Sequence, residues 1–247
     1  MKTRTRRFQV PLASVLIIAA AGAVLLPLFL METPWPSAAR DYLKLRGAAE
    51  TGARNLVSAI YLGYRAFDTL GETIVLLAAV SGTIGILSRG GGTGGPVRRE
   101  ENSQASAPLQ RRTGLLEVVT GKLGPIVLMF GLYVMLYGHL SPGGGFQGGV
   151  VVASGIVFIA LGGDSRSRTG LTETGVLSRL EAAGFLVLLA ASLSGSAAGA
   201  GFFGNPLEKT GLPREGFIII LNTVIGLKVG AGIGLMCLVM LRGGGHD

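Results

Sequence analysis

The chain has 247 residues, of which 49% are hydrophobic and only 15% are charged, and its formal net charge at pH 7 is +8. An average soluble domain carries about 25% charged residues, so this composition argues against a soluble globular protein. Most basic residues flank apolar blocks, so membrane topology explains the net charge and no nucleic-acid partner is expected. The single cysteine, Cys237, excludes a disulfide framework and a thiolate metal cluster.

The apolar residues form long uncharged blocks, which predict an all-α membrane protein with about six transmembrane helices. A bilayer core of about 30 Å needs about 20 helical residues, and the shorter blocks reach that length by including polar residues at their ends. The blocks are residues 11–31, 73–88, 123–138, 146–163, 182–207 and 216–241, the last interrupted by one lysine. We expect block 11–31 to be a retained anchor, because it is longer than the apolar part of a typical signal peptide, about 7–15 residues.

A segment rich in glycine, serine, proline and charge, residues 90–113, has the composition of a flexible linker. It divides the chain into an N-terminal two-span region, residues 1–89, and a four-span region, residues 114–247. Cytoplasmic loops are enriched in Lys and Arg. With six spans, twelve basic residues fall on one side and six on the other, which favours both termini in the cytoplasm.

Polar residues recur at helical spacing just before the second predicted span. Ser58, Tyr61, Arg65, Asp68 and Glu72 lie at i, i+3, i+7, i+10 and i+14, which predicts one polar face of a helix. An amphipathic helix on the membrane surface, with solvated charges, explains this pattern. In a second interpretation Glu72 lies at the mouth of the span and accepts a proton or pairs with a cation, with Asp68 and Arg65 beside it.

The loop 138–149, GHLSPGGGFQGG, combines a histidine, a proline and many glycines between two predicted spans. It lacks Gly-Lys-Ser/Thr and a following acid at dinucleotide-binding spacing, which excludes a phosphate cradle. A structural turn is the favoured interpretation, because Gly and Pro are the usual turn residues. A functional interpretation uses His139, because histidine is the residue type that can change its charge near neutral pH, and the free amides that start the next helix. The other loop residues singled out are Pro142, Gly143, Gly144, Gly145 and Gln147.

Lys228 lies near the middle of the last predicted span, where a charge costs about 2.5–3.5 kcal/mol on insertion scales. It is about 18 Å from either end of the span, which is too far for its side chain to reach the interface. The same helix carries a stripe of small residues suited to close helix packing, and Lys228 projects about 160° away from its middle. The stripe consists of Gly226, Gly230 and Gly234.

No acid shares the helix face of Lys228, so we expect the lysine to meet a carboxylate, a histidine or a water-filled passage supplied from elsewhere. Glu117 and Glu181 lie near the ends of predicted spans and close to arginines. Acids in such positions stay hydrated, so both are expected at the membrane interface.

Three runs resemble a known family. GHLSPGGGFQGGVVVASGIVFIALGGD, EAAGFLVLLAASLSG and LNTVIGLKVGAGIGLM occur in that order within residues 114–247. They are similar to the MnhB-type subunit of the Mrp/Mnh-type multisubunit Na⁺/H⁺ antiporters, and a related protein occurs in the antiporter-like module of membrane-bound hydrogenases. Separately, a run within residues 53–88, including YRAFDTLGE, resembles the C-terminal segment of the large MnhA-type antiporter subunit, which is a small separate protein in the hydrogenases. The linker at 90–113 is where a fusion of the two would join them.

The resemblance implies a non-catalytic subunit of a complex that moves Na⁺ and H⁺ across a prokaryotic cell membrane, with other membrane subunits and the lipid bilayer as partners. Glu72, His139 and Lys228 match positions that recur in the family motifs. The sequence offers no cluster of cofactor ligands, so no cofactor, metal site or catalytic residue is expected. Two alternatives remain open, namely a purely structural scaffold subunit and a small autonomous ion transporter.

Overall fold

A computed structural model describes residues 15–16, 19–23, 26, 37–90, 114–162, 170–206 and 213–243. Within these residues all regular structure is helical, and five helices are long and apolar enough to cross a membrane. The chain forms two compact units, Met1–Asp41 and Tyr42–Asp247. In the first unit, the described residues between 15 and 26 are helical. Most of the predicted span 11–31 and nearly all of the predicted linker 90–113 lie outside the described residues, so the sixth span remains a prediction.

The elements follow one another in a simple order. Helix α1 is Ala38–Thr51, the short helix α2 is Leu56–Ser58, and a π-helical turn, Ala59–Tyr64, follows it. The five spans are α3 (Ala66–Gly90), α4 (Gly114–Leu136), α5 (Gly145–Gly162), α6 (Thr174–Ala197) and α7 (Arg214–Gly243). A 3-10 turn, Gly170–Thr172, precedes α6. The five apolar blocks that lie within the described residues are therefore all found as membrane-length helices.

Helix α7 is the centre of the bundle, since it packs against α3, α4, α5 and α6. The contacts show that the spans alternate in direction. Contact pairs between α5 and α7 rise together along both helices, so these two are parallel, and the pairs are Gly145 with Asn222, Gly149 with Gly226, and Ile156 with Gly234. Pairs between α6 and α7 run in opposite senses, namely Gly184 with Lys228 and Glu181 with Gly232.

The same alternation holds for α3 and α4. Helix α3 runs parallel to α7, because Thr73 meets Lys228 and Val80 lies near Gly232. Helix α4 runs antiparallel to α5, with Gly124 against Ile159 and Gly131 against Val152. The segments 52–65, 137–144 and 198–206 therefore lie at one end of the bundle, which we call the loop end.

The polar stripe predicted from Ser58 to Glu72 on one helix face is wrong, because this segment is not one continuous α-helix. Helix α2 ends at Ser58, the next six residues form a π-helical turn, and Arg65 interrupts the helix with φ −125° and ψ 32°. A π-turn holds more residues than an α-turn, so it shifts the positions of later side chains around the axis. Ser58 is consequently buried, whereas Arg65, Asp68 and Glu72 are exposed on this chain.

Candidate functional site: an ion pair inside the helical bundle

Helix α7 holds Lys228 at the middle of the bundle, where the residue is 0% exposed. Its aliphatic stem packs against α6 at Gly184, where an added Cβ would lie 2.8 Å from the Cβ of Lys228. Its ammonium Nζ donates a hydrogen bond to the backbone carbonyl oxygen of Thr73 in α3, at 2.5 Å. The lysine is therefore enclosed between α6 and α3 and does not point towards lipid.

The counter-charge comes from α6, where Glu181 places its Oε1 atom 4.0 Å from Nζ of Lys228. Glu181 is only 4% exposed, which corrects the expectation that it lies at the interface. Helix α6 begins at Thr174, so Glu181 is about two turns inside the helix and faces α7. Gly232 leaves room for the carboxylate, since a Cβ there would lie 2.8 Å from Oε1.

The pair uses little of its hydrogen-bonding capacity. An ammonium group has three N–H donors, and the structure engages one of them, on the carbonyl of Thr73. Within the described residues, Oε1 of Glu181 has no hydrogen-bond partner. At 4 Å, two unit charges attract one another by about 4 kcal/mol at an effective dielectric constant of about 20. The two groups are thus joined by charge attraction without a direct hydrogen bond.

The glycine stripe lies on another side of α7 and faces α4 and α5. Gly226 contacts the side chain of Met135 in α4, and a Cβ at Gly230 would lie 2.9 Å from Val152. At Gly234 the nearest atom, on Ile156, is 3.3 Å from an added Cβ. The backbones of α4 and α5 therefore approach α7 closely on the side of the stripe. Lys228 projects away from this side, as predicted, and contacts α3 and α6.

The glycine-rich loop is a turn held by side chains from the segment before α3. The Nδ2 group of Asn55 donates hydrogen bonds to the carbonyl oxygens of Gly138 and Ser141, each at 2.8 Å. Ser58 Oγ donates to the same Gly138 carbonyl at 2.5 Å, and the backbone N–H of Asn55 donates to the carbonyl of His139 at 3.0 Å. These bonds join residues 55–58 to the loop end of α4.

A second set of bonds ties this segment to α7. Tyr61 donates its hydroxyl proton to Oδ1 of Asn222 at 2.5 Å, and the backbone N–H of Gly145 donates to the same oxygen at 2.8 Å. Gly144 lies so close to the Tyr61 hydroxyl that a Cβ would collide with it. Asn55 and Asn222 are not predicted from the sequence, because their importance depends on contacts between segments that are distant in the chain.

The other predicted residues lie away from the ion pair. Arg65 and Asp68 form an exposed ion pair with each other, and Glu72 is exposed on the outer side of α3. His139 is half-buried in the loop, with Nδ1 3.0 Å from the carbonyl oxygen of Leu136, so that nitrogen carries the proton. Among the hydrogen bonds and ion pairs of the described residues, none joins any of these four to Lys228 or Glu181. Pro142 and Gln147 are exposed, and Gly143, Gly144 and Gly145 form the tight part of the turn.

A third polar cluster, also missed from the sequence, lies at the loop end around Glu50 of α1. Its carboxylate accepts hydrogen bonds from Tyr64 at 2.6 Å and from Tyr42 at 2.9 Å. These bonds, with that of Tyr64 the largest contribution, lower the pKa of the Glu50 carboxyl below its ordinary value. Glu50 lines a cavity of about 240 Å³ together with residues from the segment after α6 and the start of α7.

Known families match both parts of the chain. Residues 115–235 match the model of a domain related to the MnhB subunit of Na⁺/H⁺ antiporter. Residues 5–91 match the model of the MbhE family, a subunit of MBH. Together the two matches account for most of the chain, one on each side of the segment 92–114.

Individual relatives agree with the family matches. An uncharacterized protein of Methanocaldococcus jannaschii is 29% identical over 194 residues, which are 72% of this chain and 74% of that protein. A probable K⁺/H⁺ antiporter protein of Rhizobium meliloti, described as a combined A/B component, is 26% identical over 187 residues. These residues are 67% of this chain but only 18% of that much longer protein.

Among solved structures, the membrane-bound sulfane sulfur reductase, an archaeal respiratory membrane complex, contains a similar chain. The two chains superpose with a TM-score of 0.67 at 27% identity, over 93% of this chain and 97% of the other. This superposition agrees with the bundle of membrane-length helices described above. The chain is therefore a multi-pass membrane protein with a C-terminal domain related to MnhB, and its two matched regions support a subunit of the Mrp/MBH type.

Proposed function

We propose that this subunit takes part in the coupled movement of a monovalent cation and protons through a multisubunit complex of a prokaryotic cell membrane, and that it is not itself catalytic. The observation that carries the proposal is the pair of Lys228 and Glu181, buried at the centre of the bundle with a separation of 4.0 Å. Ionisable residues inside membrane spans are rare, and they commonly mark ion pathways or proton relays. The pair of Lys228 and Glu181 is therefore the site through which the subunit takes part in ion movement.

A purely structural scaffold is the second candidate, and the same pair argues against it. Taking two charges out of water costs several kcal/mol per ion, and apolar residues of similar volume often stabilise a bundle as well or better. A subunit that only fills space gains nothing from Lys228 and Glu181, whereas a subunit that responds to passing cations needs charge near their path.

The proposed orientation rests on the alternating directions of the spans. Alternation brings the C-terminal ends of α3, α5 and α7 to the side opposite the loop end. In the sequence, α3 and α5 are followed by Arg98, Arg99, Arg111, Arg112, Arg166 and Arg168. Because cytoplasmic loops are enriched in Lys and Arg, we place this side in the cytoplasm, with the C-terminus. We also propose that 1–89 and 114–247 are two regions joined by the linker 90–113.

The experiment that tests the function is reconstitution of the whole complex, isolated through a tag on this chain. We expect proteoliposomes that contain the complex to show proton movement when a Na⁺ or K⁺ gradient is applied, as read by a pH-sensitive dye inside them. Both cations are tested, because the matched family names Na⁺ and the Rhizobium meliloti relative names K⁺. The chain reconstituted alone should give no signal. Equal activity of the chain alone would make it an autonomous transporter, and a fully active complex without it would contradict the proposal.

Glu72 is expected to be the point where this subunit meets an ion path at its outer surface. It is exposed on α3 inside a candidate span, and lipid does not accommodate a charged group at that depth. A partner subunit should therefore cover it. We expect Glu72→Gln to reduce cation-driven proton movement while the complex assembles normally, as judged by size-exclusion chromatography. Glu173→Gln is the control, because Glu173 is an exposed acid next to the start of α6. Transport equal to that of the control at every pH tested would show that Glu72 is only a surface acid.

A further inference from the structure

We infer that Glu181 is the group of this pair that takes up and releases a proton, while Lys228 stays a fixed positive charge. The inference rests on the proposed function and makes it more specific, because it names the proton as the ion exchanged at the site. It follows from how each of the two side chains is held.

Lys228 is held firmly in place by contacts that favour its charged form. Its stem is packed against Gly184, its whole side chain is buried, and its Nζ donates a hydrogen bond of 2.5 Å to the carbonyl of Thr73. A carbonyl oxygen offers no proton, so this contact requires an N–H on the lysine. Hydrogen bonds to a charged group are shorter and stronger than those between neutral groups, so the contact favours the ammonium.

Glu181 is held much less firmly. Its Oε1 atom receives no hydrogen bond from any described residue, although it is buried. Gly232 gives the carboxylate space on the α7 side, and Val80 of α3 borders the same space with an apolar surface. A buried carboxylate without a donor is poorly stabilised in its ionised form, and protonation removes that cost.

Lys228 is the charged side chain that faces Glu181 within the described part of the chain. Helix α3 contributes Val80 and the carbonyl of Thr73, and the turn Gly170–Thr172 has no titratable side chain. The proton balance at the site is accordingly simple. A hydronium ion transfers a proton to the Glu181 carboxylate, so that one O–H bond forms on the carboxyl group and one breaks on the donor, which becomes water; release reverses the step.

Protonation of Glu181 changes the charge of the pair from zero to +1. With the carboxylate ionised, Lys228 is neutralised and the site exerts little force on a cation nearby. With the carboxyl protonated, the lysine charge is uncompensated and repels a monovalent cation in the surrounding low-dielectric region. The carboxyl group of Glu181 thus links proton uptake to cation passage. Lys228, which is hydrogen-bonded to the carbonyl of Thr73, does not exchange a proton in this scheme.

The test is infrared difference spectroscopy of the reconstituted complex between two pH values, in H₂O and in D₂O. A protonated carboxyl group gives a carbonyl-stretching band that shifts in D₂O. We expect acidification to produce such a band in the unaltered complex and expect Glu181→Gln to remove it. Glu181→Asp keeps a titratable carboxyl and should restore a band at a shifted position. Glu173→Gln, on the same segment of chain, should leave the band unchanged.

If the unaltered complex assembles and transports, and the Glu181→Gln complex still shows the band at unchanged intensity, the inference is overturned while the proposed function stands. An unaltered complex that shows no cation-driven proton movement contradicts the proposed function itself, whatever its spectrum. The transport assay gives a second readout, because Glu181→Gln imitates the protonated acid permanently. The transport rate of the Glu181→Gln complex should therefore lose the pH dependence of the unaltered complex. A merely structural role for Glu181 predicts instead a pH profile of the same shape, with the rate scaled by one factor at every pH.

Discussion

At a pH where Glu181 is ionised, replacement of Lys228 by methionine is expected to lower the free energy of unfolding of the subunit by about 3–5 kcal/mol, because removing one member of a buried ion pair leaves the other charge uncompensated. The group left behind is Glu181, which is 4% exposed and has no hydrogen-bond donor for Oε1 among the described residues. Thermal unfolding of the detergent-solubilised complex measures the effect.

The matched control is Lys44→Met, since Lys44 is exposed on α1 and its replacement should change stability by no more than about 0.5 kcal/mol. We also expect Lys228→Met to abolish cation-driven proton movement in whatever complex still assembles. Equal melting temperatures for the two variants, with normal transport, would reduce Lys228 to a packing residue.

A second large effect is expected where α5 meets α7. A Cβ added at Gly149 would lie 2.7 Å from the backbone oxygen of Gly226 and 2.8 Å from Cβ of Val229. Neither neighbour is the flexible end of a side chain, so the two helices must move apart. We expect Gly149→Ala to destabilise the subunit by about 1–3 kcal/mol, the usual cost of overpacking, and to lower the yield of assembled complex.

Gly82→Ala is the control for this substitution. Gly82 lies within α3, and among the described residues a Cβ there would meet no atom within 4 Å apart from its chain neighbours and the backbone of its own helix. Both substitutions gain the same helix propensity, about 1 kcal/mol, so the difference between them isolates the packing at Gly149. If Gly149→Ala is as stable as Gly82→Ala, α5 and α7 do not pack as closely as described.

The sequence predicts the spans well because the bilayer imposes a length and an apolarity that can be read directly from uncharged blocks. Five of the blocks coincide with membrane-length helices, from α3 at Ala66–Gly90 to α7 at Arg214–Gly243. The need of Lys228 for a polar partner is also visible in the sequence, because no acid lies on its own helix face. Both conclusions depend on local information only.

Which residue pairs with Lys228 depends on tertiary packing, and the sequence pattern therefore wrongly predicts an interfacial position for Glu181. Glu181 precedes an apolar block and lies near Arg179, which is typical of an interfacial acid. Helix α6 begins earlier than that block, at Thr174, and turns Glu181 towards Gly232 of α7. Small residues at 184 and 232 are the one local sign that two helices approach closely at this point.

The prediction for the segment before α3 fails for a different reason. A strict α-helical period from Ser58 to Glu72 predicts one polar face, whereas Ala59–Tyr64 forms a π-turn and Arg65 breaks the helix. A period of 3.6 residues does not hold through such a turn, so residues at predicted i and i+7 positions fall on different sides. The bonds from Asn55 and Tyr61 to the loop and to Asn222 are the interactions that keep this irregular segment in place.

The most direct test of the central claim is transport by a doubly substituted complex, Lys228→Met with Glu181→Met. Replacing a buried ion pair by apolar residues of similar volume is often neutral or stabilising, so the double variant should regain the stability that Lys228→Met loses. If the pair exchanges protons and senses cations, this stable and fully assembled complex should show no cation-driven proton movement in proteoliposomes. The same complex moving protons at the rate of the unaltered one would show that the pair serves the structure only.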